Sequence, residues 1–112
     1  WQAARRLVEW GAQTTFWTAA ALGLLDRVAA YFNREVLSPE IVTNGFWHAC
    51  HGGQRATAEY LADRGADIDW VGYDEMTPLD AARRNGSVEV MTWLDDRGAS
   101  SAEQLRIKAG TD

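Results

Sequence analysis

The feature that most constrains the fold is a repeat at a fixed spacing of 33 residues. The segment GQRATAEYLADRGAD, which starts at Gly53, returns as GSVEVMTWLDDRGAS from Gly86, and Phe46 aligns in the same register with Leu79. A weaker copy lies upstream, where FWTAAALG from Phe16 matches FWHACHGG at a spacing of 30 residues. Units of this length bury their apolar faces only against neighbouring units, so the pattern predicts a solenoid.

The best-preserved unit contains the start and stop signals of two helices. Thr77 is placed to cap a helix that Pro78 begins, because proline is tolerated where the backbone amide has no helical partner. Gly86 permits a sharp turn into a second helix over residues 88–97, and Gly98 is placed to end that helix in a left-handed conformation. The unit therefore predicts a helix pair.

Residues 74–100, DEMTPLDAARRNGSVEVMTWLDDRGAS, resemble an ankyrin repeat. The resemblance is carried by TPL at 77–79, the alanine pair at 81–82, Gly86, Val90, Leu94 and the GA pair at 98–99. It covers most of residues 2–100 and is strongest in the last two units. It implies an all-α ankyrin-repeat solenoid of stacked antiparallel helix pairs that recognises another protein and catalyses no reaction.

We expect a single ankyrin-repeat domain over residues 1–112, with a partial unit at about 1–12, units at 13–36, 37–69 and 70–100, and a C-terminal helix at 101–108. Only one β-hairpin finger is predicted, around residues 66–76, because only this connection has the length and the turn residues for one. Ser38-Pro39-Glu40 predicts instead a helix that runs to about His51. Ser100 and Glu103 are spaced as a capping box for the terminal helix.

Composition excludes several classes of partner. The net charge is −5 and the cationic residues are dispersed, whereas nucleic acids and anionic membranes attract a basic stripe. The single cysteine, Cys50, cannot form an internal disulfide, which indicates a reducing compartment, and we expect a cytoplasmic protein. No segment reads as a membrane span or a signal peptide.

The start of the chain predicts a second surface. Because it begins at Trp1 rather than at a methionine, we expect a piece of a longer protein. The apolar residues Trp1, Leu7 and Val8 suggest either a weak homodimer through this end, with a monomer as the alternative, or a structural role in which the units cap another domain.

The stretch NGFWHACHGG, residues 44–53, raises the question of a metal or catalytic site. His48 and His51 share a helix face while Cys50 points elsewhere, and a structural zinc site usually needs four convergent ligands. A Cys–His nucleophile would need an oxyanion hole that nothing nearby supplies. We therefore favour packing, with Cys50 as a small buried apolar residue, and expect no metal or cofactor; an enzyme using these residues with Asp80 is the alternative.

Two further groups of residues have a chemical and a structural interpretation. The acidic side chains near the finger suggest a calcium site or an acid–base pair, but their spacing does not match an EF-hand loop, so a solvated finger edge is favoured. These acidic residues are Asp67, Asp69, Asp74, Glu75 and Asp80. Trp17 and Trp47 take the position of Asp80 in the last unit, and core packing is the expectation for both.

We predict that a protein partner binds in a concave groove formed by the first helices and the finger. The candidate contacts are Trp70, Tyr73, Glu75, Met76, His48, His51 and Arg84, with Thr18, Ala21 and Ala81 as further groove positions. Aromatic side chains and arginine dominate interface energetics. The acidic finger predicts a partner with a basic patch, which binds more weakly as the salt concentration rises.

Overall fold

The computed structural model describes residues 16–34 and 36–110, and every regular element among these residues is helical. Within the described residues, helix α1 spans 16–22. It is followed by α2 (Leu25–Arg34), α3 (Pro39–His51), α4 (Arg55–Asp63), a 3₁₀ turn (Tyr73–Glu75), α5 (Pro78–Arg84), α6 (Val88–Asp96) and α7 (Ala102–Gly110). The predictions for the partial first unit and for Trp1, Leu7 and Val8 fall outside the described residues.

The helices form two layers that share one core. Helix α3 packs against α5 in the first layer, α4 contacts both α2 and α6 in the second, and α3 with α4 and α5 with α6 join the layers as pairs. The core residues come from both layers and include Phe16, Val28, Val42, Phe46, Ala49, Ala58, Leu61, Leu79, Ala82, Val90, Trp93 and Leu94. The all-α class expected from the sequence is confirmed.

Helix α3 occupies the connection where the sequence predicted a helix in place of a finger. Ser38 is extended, with φ −67° and ψ 154°, and its hydroxyl accepts a hydrogen bond of 3.3 Å from the backbone amide of Ile41. Pro39 follows at the start of the helix, where its missing amide costs nothing. The helix continues to His51, so the predicted extra turn is confirmed.

The predicted β-hairpin around residues 66–76, called here the finger segment, is not formed as paired strands. Its backbone makes turns and the 3₁₀ turn. The amide of Gly72 donates to the carbonyl of Met76 at 2.8 Å, and the amide of Met76 donates to the carbonyl of Tyr73 at 3.1 Å. Asp74 and Glu75 have positive φ values of 56° and 59°, which turn the chain out of an extended conformation. The backbone amide of Asp67 donates a hydrogen bond of 3.0 Å to Thr43 Oγ1, so it is not available to pair with a neighbouring strand.

The last helix begins one residue later than predicted. Ser101, rather than Ser100, caps it: Ser101 Oγ accepts from the amide of Gln104 at 3.1 Å, and Gln104 Oε1 accepts from the amide of Ser101 at 2.7 Å. This is a reciprocal capping box in which glutamine takes the place predicted for Glu103. Ser100 instead donates its backbone amide to Asp69 Oδ1 at 2.8 Å.

The carboxylate of Asp80 joins two helix starts. Its Oδ2 accepts from the backbone amide of Thr77 at 3.1 Å, which completes the capping box of α5, and from the amide of Ala102 at 2.9 Å, the first residue of α7. Thr77 itself is fully buried. Asp80 thus supplies acceptors to two otherwise unsatisfied helix amides.

Two glycines allow α1 and α3 to approach each other closely. A Cβ added to Gly52 would overlap the carbonyl oxygen of Ala21 at the end of α1, and one added to Gly45 would lie 2.6 Å from Phe16 Cε2. At Gly52 the φ of −80° suits any residue, so the requirement for glycine is one of space. None of the described helices combines the length and apolar character needed to cross a bilayer.

We predict that Gly52→Ala lowers the free energy of unfolding by about 1–3 kcal/mol, because α1 and α3 must move apart to admit the methyl group. Gly110→Ala is the control, since a Cβ there meets open space and a surface change stays within about 0.5 kcal/mol. Urea unfolding of both variants measures the difference, and equal stabilities would contradict the close approach.

We predict that Asp80→Ala lowers the free energy of unfolding by about 2 kcal/mol, because two helix caps lose their acceptor. Asp95→Ala removes the same charge from an exposed position at the end of α6 and leaves stability nearly unchanged. Urea unfolding monitored by circular dichroism checks both. If Asp80→Ala loses no more free energy of unfolding than Asp95→Ala does, the cap shared by α5 and α7 adds no stability.

Candidate functional site

Six ring side chains from α1, α3 and the finger segment lie in mutual contact on one side of the molecule. We call them the aromatic–histidine cluster: Trp17, Trp47, His48, His51, Trp70 and Tyr73. Every ring in the cluster has its centroid within 6.1 Å of another ring in it. The sequence predicted four of the six as partner contacts.

His48 lies at the centre of the cluster. Its imidazole stacks on the indole of Trp17, with centroids 5.8 Å apart and planes at 2°. Trp47 and Tyr73 meet it edge-on at 5.4 Å and 5.3 Å. Three rings therefore fix the orientation of the imidazole.

Trp47 fastens the finger segment to α3. Only 5% of the residue is exposed, which confirms the core packing predicted for it, and its Nε1–H donates to the carbonyl of Met76 at 3.0 Å. Its indole also stacks on His51 with centroids 5.3 Å apart and planes at 7°. The Trp47 side chain thus fills space in the core and also donates a hydrogen bond to a carbonyl of the finger segment.

Tyr73 is the most exposed predicted contact within the cluster, at 44%. Its hydroxyl and the Asn44 side chain exchange hydrogen bonds, with Asn44 Nδ2 donating at 3.0 Å and the tyrosine hydroxyl donating to Oδ1 at 3.2 Å. Trp70 meets Tyr73 edge-on at 6.1 Å and is half-buried. A Cβ on Gly72 would lie 2.5 Å from the Trp70 ring, so glycine here lets the indole lie against the backbone.

The remaining predicted contacts fall at the edge of the cluster or away from it. Arg84 is exposed, pairs with Asp74 at 3.4 Å and reaches Met76 Sδ at 4.0 Å, so it borders the finger. Glu75 faces a different cavity, together with Val71 and residues of α7. Ala81 is fully buried, which removes it from the groove positions considered for a partner.

Cys50 lies inside the core, as the packing interpretation predicted. It is fully buried, and burial raises the pKa of its thiol well above the usual range, so the reactive thiolate does not form near neutral pH. Within residues 16–34 and 36–110, no three histidine, cysteine, aspartate or glutamate side chains converge in a way that would hold a metal ion.

Three of the acidic residues near the finger accept hydrogen bonds from backbone amides. Asp67 Oδ1 accepts from the amide of Asp69 at 3.0 Å, Asp69 Oδ1 accepts from Ser100, and Asp80 caps α5 and α7. Their spacing in the chain therefore reflects turns and helix starts.

The protonation state of His48 follows from its surroundings. Nδ1 lies 2.8 Å from the backbone carbonyl of Asn44, one turn earlier in α3, and a carbonyl only accepts, so Nδ1 carries the proton. Burial is the main cause of a lowered pKa for His48; the hydrogen bond to Asn44 opposes it and the charge of His51 adds to it. The neutral ring is therefore favoured in the folded state.

Sequence reasoning missed the contribution of Asn44 and of both stacking tryptophans to this site. Trp17 and Trp47 did give a signal, because they align at a spacing of 30 residues where the last unit has Asp80. Asn44 gave none, since its partner Tyr73 lies 29 residues away and the contact exists only once the finger folds back.

Comparisons with known proteins confirm the resemblance to ankyrin repeats. A segment of 51 residues, 46% of the chain, is 39% identical to the "Ankyrin repeat and KH domain-containing protein CBG24701" of Caenorhabditis briggsae. A segment of 59 residues, 53% of the chain, is 40% identical to the "Ankyrin repeat and KH domain-containing protein mask-1" of Caenorhabditis elegans. Each match spans 2% of the relative's length. No protein-family model matches the chain.

We predict that the folded state loses stability as the pH falls below about 6.5, because the unfolded chain then binds a proton that folded His48 resists. The contribution of His48 is complete above this pH and is lost progressively as the pH falls toward its lowered folded value. Urea unfolding between about pH 8 and pH 5 measures it in the wild type and in His48→Gln. The variant should show a shallower decline, and parallel curves would contradict the assignment.

Proposed function

We propose that this chain is a non-catalytic protein-interaction module whose partner binds across the aromatic–histidine cluster. The observation that carries the proposal is the convergence of six rings from three separate segments on one side of the molecule. The two relatives are ankyrin-repeat proteins, which supports recognition of another protein. The contacts we propose are His48, His51, Trp70, Tyr73, Met76 and Arg84, with Glu75 as an outlying contact.

The rigidity of the cluster favours binding. Aromatic residues dominate interface hot spots, and side chains that are ordered beforehand lose little entropy when a partner arrives. His48 is held by three rings, and Tyr73 by Asn44 while nearly half of it stays exposed. A partner therefore meets a fixed aromatic surface.

We propose that residues 37–69 and 70–100 form separate repeat units, and that this division positions the site. The finger segment then works as a looped finger that Trp47 and Thr43 hold against α3. The net charge of −5 favours a basic partner over an acidic one, and the free Cys50 suits a reducing compartment such as the cytoplasm.

The test is selection of peptide ligands from a random displayed library, followed by fluorescence anisotropy with the selected peptides. The test variant is His51→Ser/Tyr73→Ala, which removes two accessible rings. We expect the Kd to rise at least about tenfold, because truncating central aromatic contacts costs about 2 kcal/mol each in hot spots. Affinity should also fall as salt is raised.

The control variant is Val88→Ala/Ile107→Ala, which truncates two exposed apolar residues on α6 and α7 outside the cluster. It should leave the Kd unchanged, and circular dichroism should show both variants folded. Selected peptides that bind the His51→Ser/Tyr73→Ala variant as tightly as the wild type would exclude the cluster as the binding surface.

A further inference from the structure

We infer that a pocket between the start of α3 and the finger segment receives an arginine side chain of the partner. This inference rests on the proposed function and names the chemistry of one contact. The pocket has a volume of about 310 Å³ and is lined by Pro39, Glu40, Thr43, Asn44, Asp67 and Trp70. That volume is at the lower end of the range of about 300–1,000 Å³ for small-ligand sites, which suits one side chain.

The walls of the pocket are held in place by hydrogen bonds between α3 and the finger segment. Thr43 is buried, and its hydroxyl accepts from the amide of Asp67 at 3.0 Å. Asn44 is fixed by its reciprocal bonds to Tyr73. Because these bonds tie the two walls together, the pocket exists before a ligand enters and little ordering is required on binding.

Two acidic residues from different segments line the pocket, and neither is paired with a cationic side chain that the structure describes. Glu40 comes from the first turn of α3 and Asp67 from the finger segment, and both residues are exposed. Neither forms an ion pair with any residue that the structure describes, and the pocket lining contains no lysine or arginine. Asp67 uses Oδ1 for the amide of Asp69, so Oδ2 is left for a ligand.

Trp70 forms an aromatic wall of the pocket, and this wall favours one kind of cationic side chain. Its indole is half-buried, lies against Gly72 and meets Tyr73 at 87°, so the ring has a fixed orientation. A guanidinium stacks on an aromatic face and pairs with carboxylates through a planar fork, whereas an ammonium is compact and strongly hydrated. Two carboxylates beside one indole therefore favour arginine over lysine.

The test uses N-acetyl-arginine amide as a probe in ¹H–¹⁵N correlation spectra of the whole chain. We expect saturable shifts of the Trp70 indole signal and of the backbone amides of Thr43 and Asp67. The indole signal is assigned with Trp70→Phe. N-acetyl-citrulline amide, which has nearly the same shape without the charge, should leave these signals in place, and N-acetyl-lysine amide should bind more weakly.

The test variant is Glu40→Gln/Asp67→Asn, in which asparagine keeps the acceptor for the Asp69 amide. We expect its Kd for the arginine amide to rise at least about tenfold, because the guanidinium loses both charged acceptors. Asp95→Asn/Asp96→Asn removes the same net charge from exposed positions at the end of α6 and should bind as the wild type does.

Several outcomes would overturn the inference. Equal shifts with citrulline, equal affinity for lysine, shifts confined to other residues, or equal weakening in the Asp95→Asn/Asp96→Asn control would each exclude an arginine pocket at this place. If the arginine amide fails to bind while displayed peptides still require His51 and Tyr73, the pocket assignment is wrong and the interaction role stands. If the arginine amide binds and no peptide is selected, the pocket stands and the interaction role is wrong.

Discussion

The close approach of α1 and α3 is the constraint on which the rest of the structure depends. Gly52 faces the carbonyl oxygen of Ala21 and Gly45 faces the Phe16 ring, with no room for a further carbon atom at either position. The ring of Trp17 thereby comes to lie flat on that of His48.

The site and the scaffold share the same hydrogen bonds. The Trp47 indole and the Thr43 hydroxyl, both on α3, supply a donor to the carbonyl of Met76 and an acceptor to the amide of Asp67. These bonds satisfy finger groups that a β-hairpin would have paired with a facing strand. The irregular finger is thus held to the helices by side chains, while nearly half of Tyr73 stays exposed.

The histidine and cysteine side chains of residues 44–53 form a pattern that suggests a catalytic or metal site, but they are used for packing. Cys50 is enclosed by core residues, and His48 and His51 turn toward indole rings rather than toward a shared ligand. Histidine suits this environment because a flat, half-buried ring can stack while its Nδ1–H is satisfied by the helix backbone. Burial among these rings also lowers the pKa of His48.

The helical class, the cap at Ser38, the glycine turns and the burial of Cys50 could be predicted from the sequence, because each depends on residues a few positions apart or on a register that repeats. The paired strands of the hairpin did not form, because the positive φ values of Asp74 and Glu75 are not encoded by any periodicity. The cap of α7 was predicted one residue too early, because Ser100 and Ser101 are adjacent and only the backbone conformation decides which of them caps the helix. Only the tertiary structure decided the aromatic–histidine cluster and the pocket beside Trp70. Their contacts join residues about 30 positions apart, and such pairs meet only after the helices have stacked and the finger has folded back onto α3.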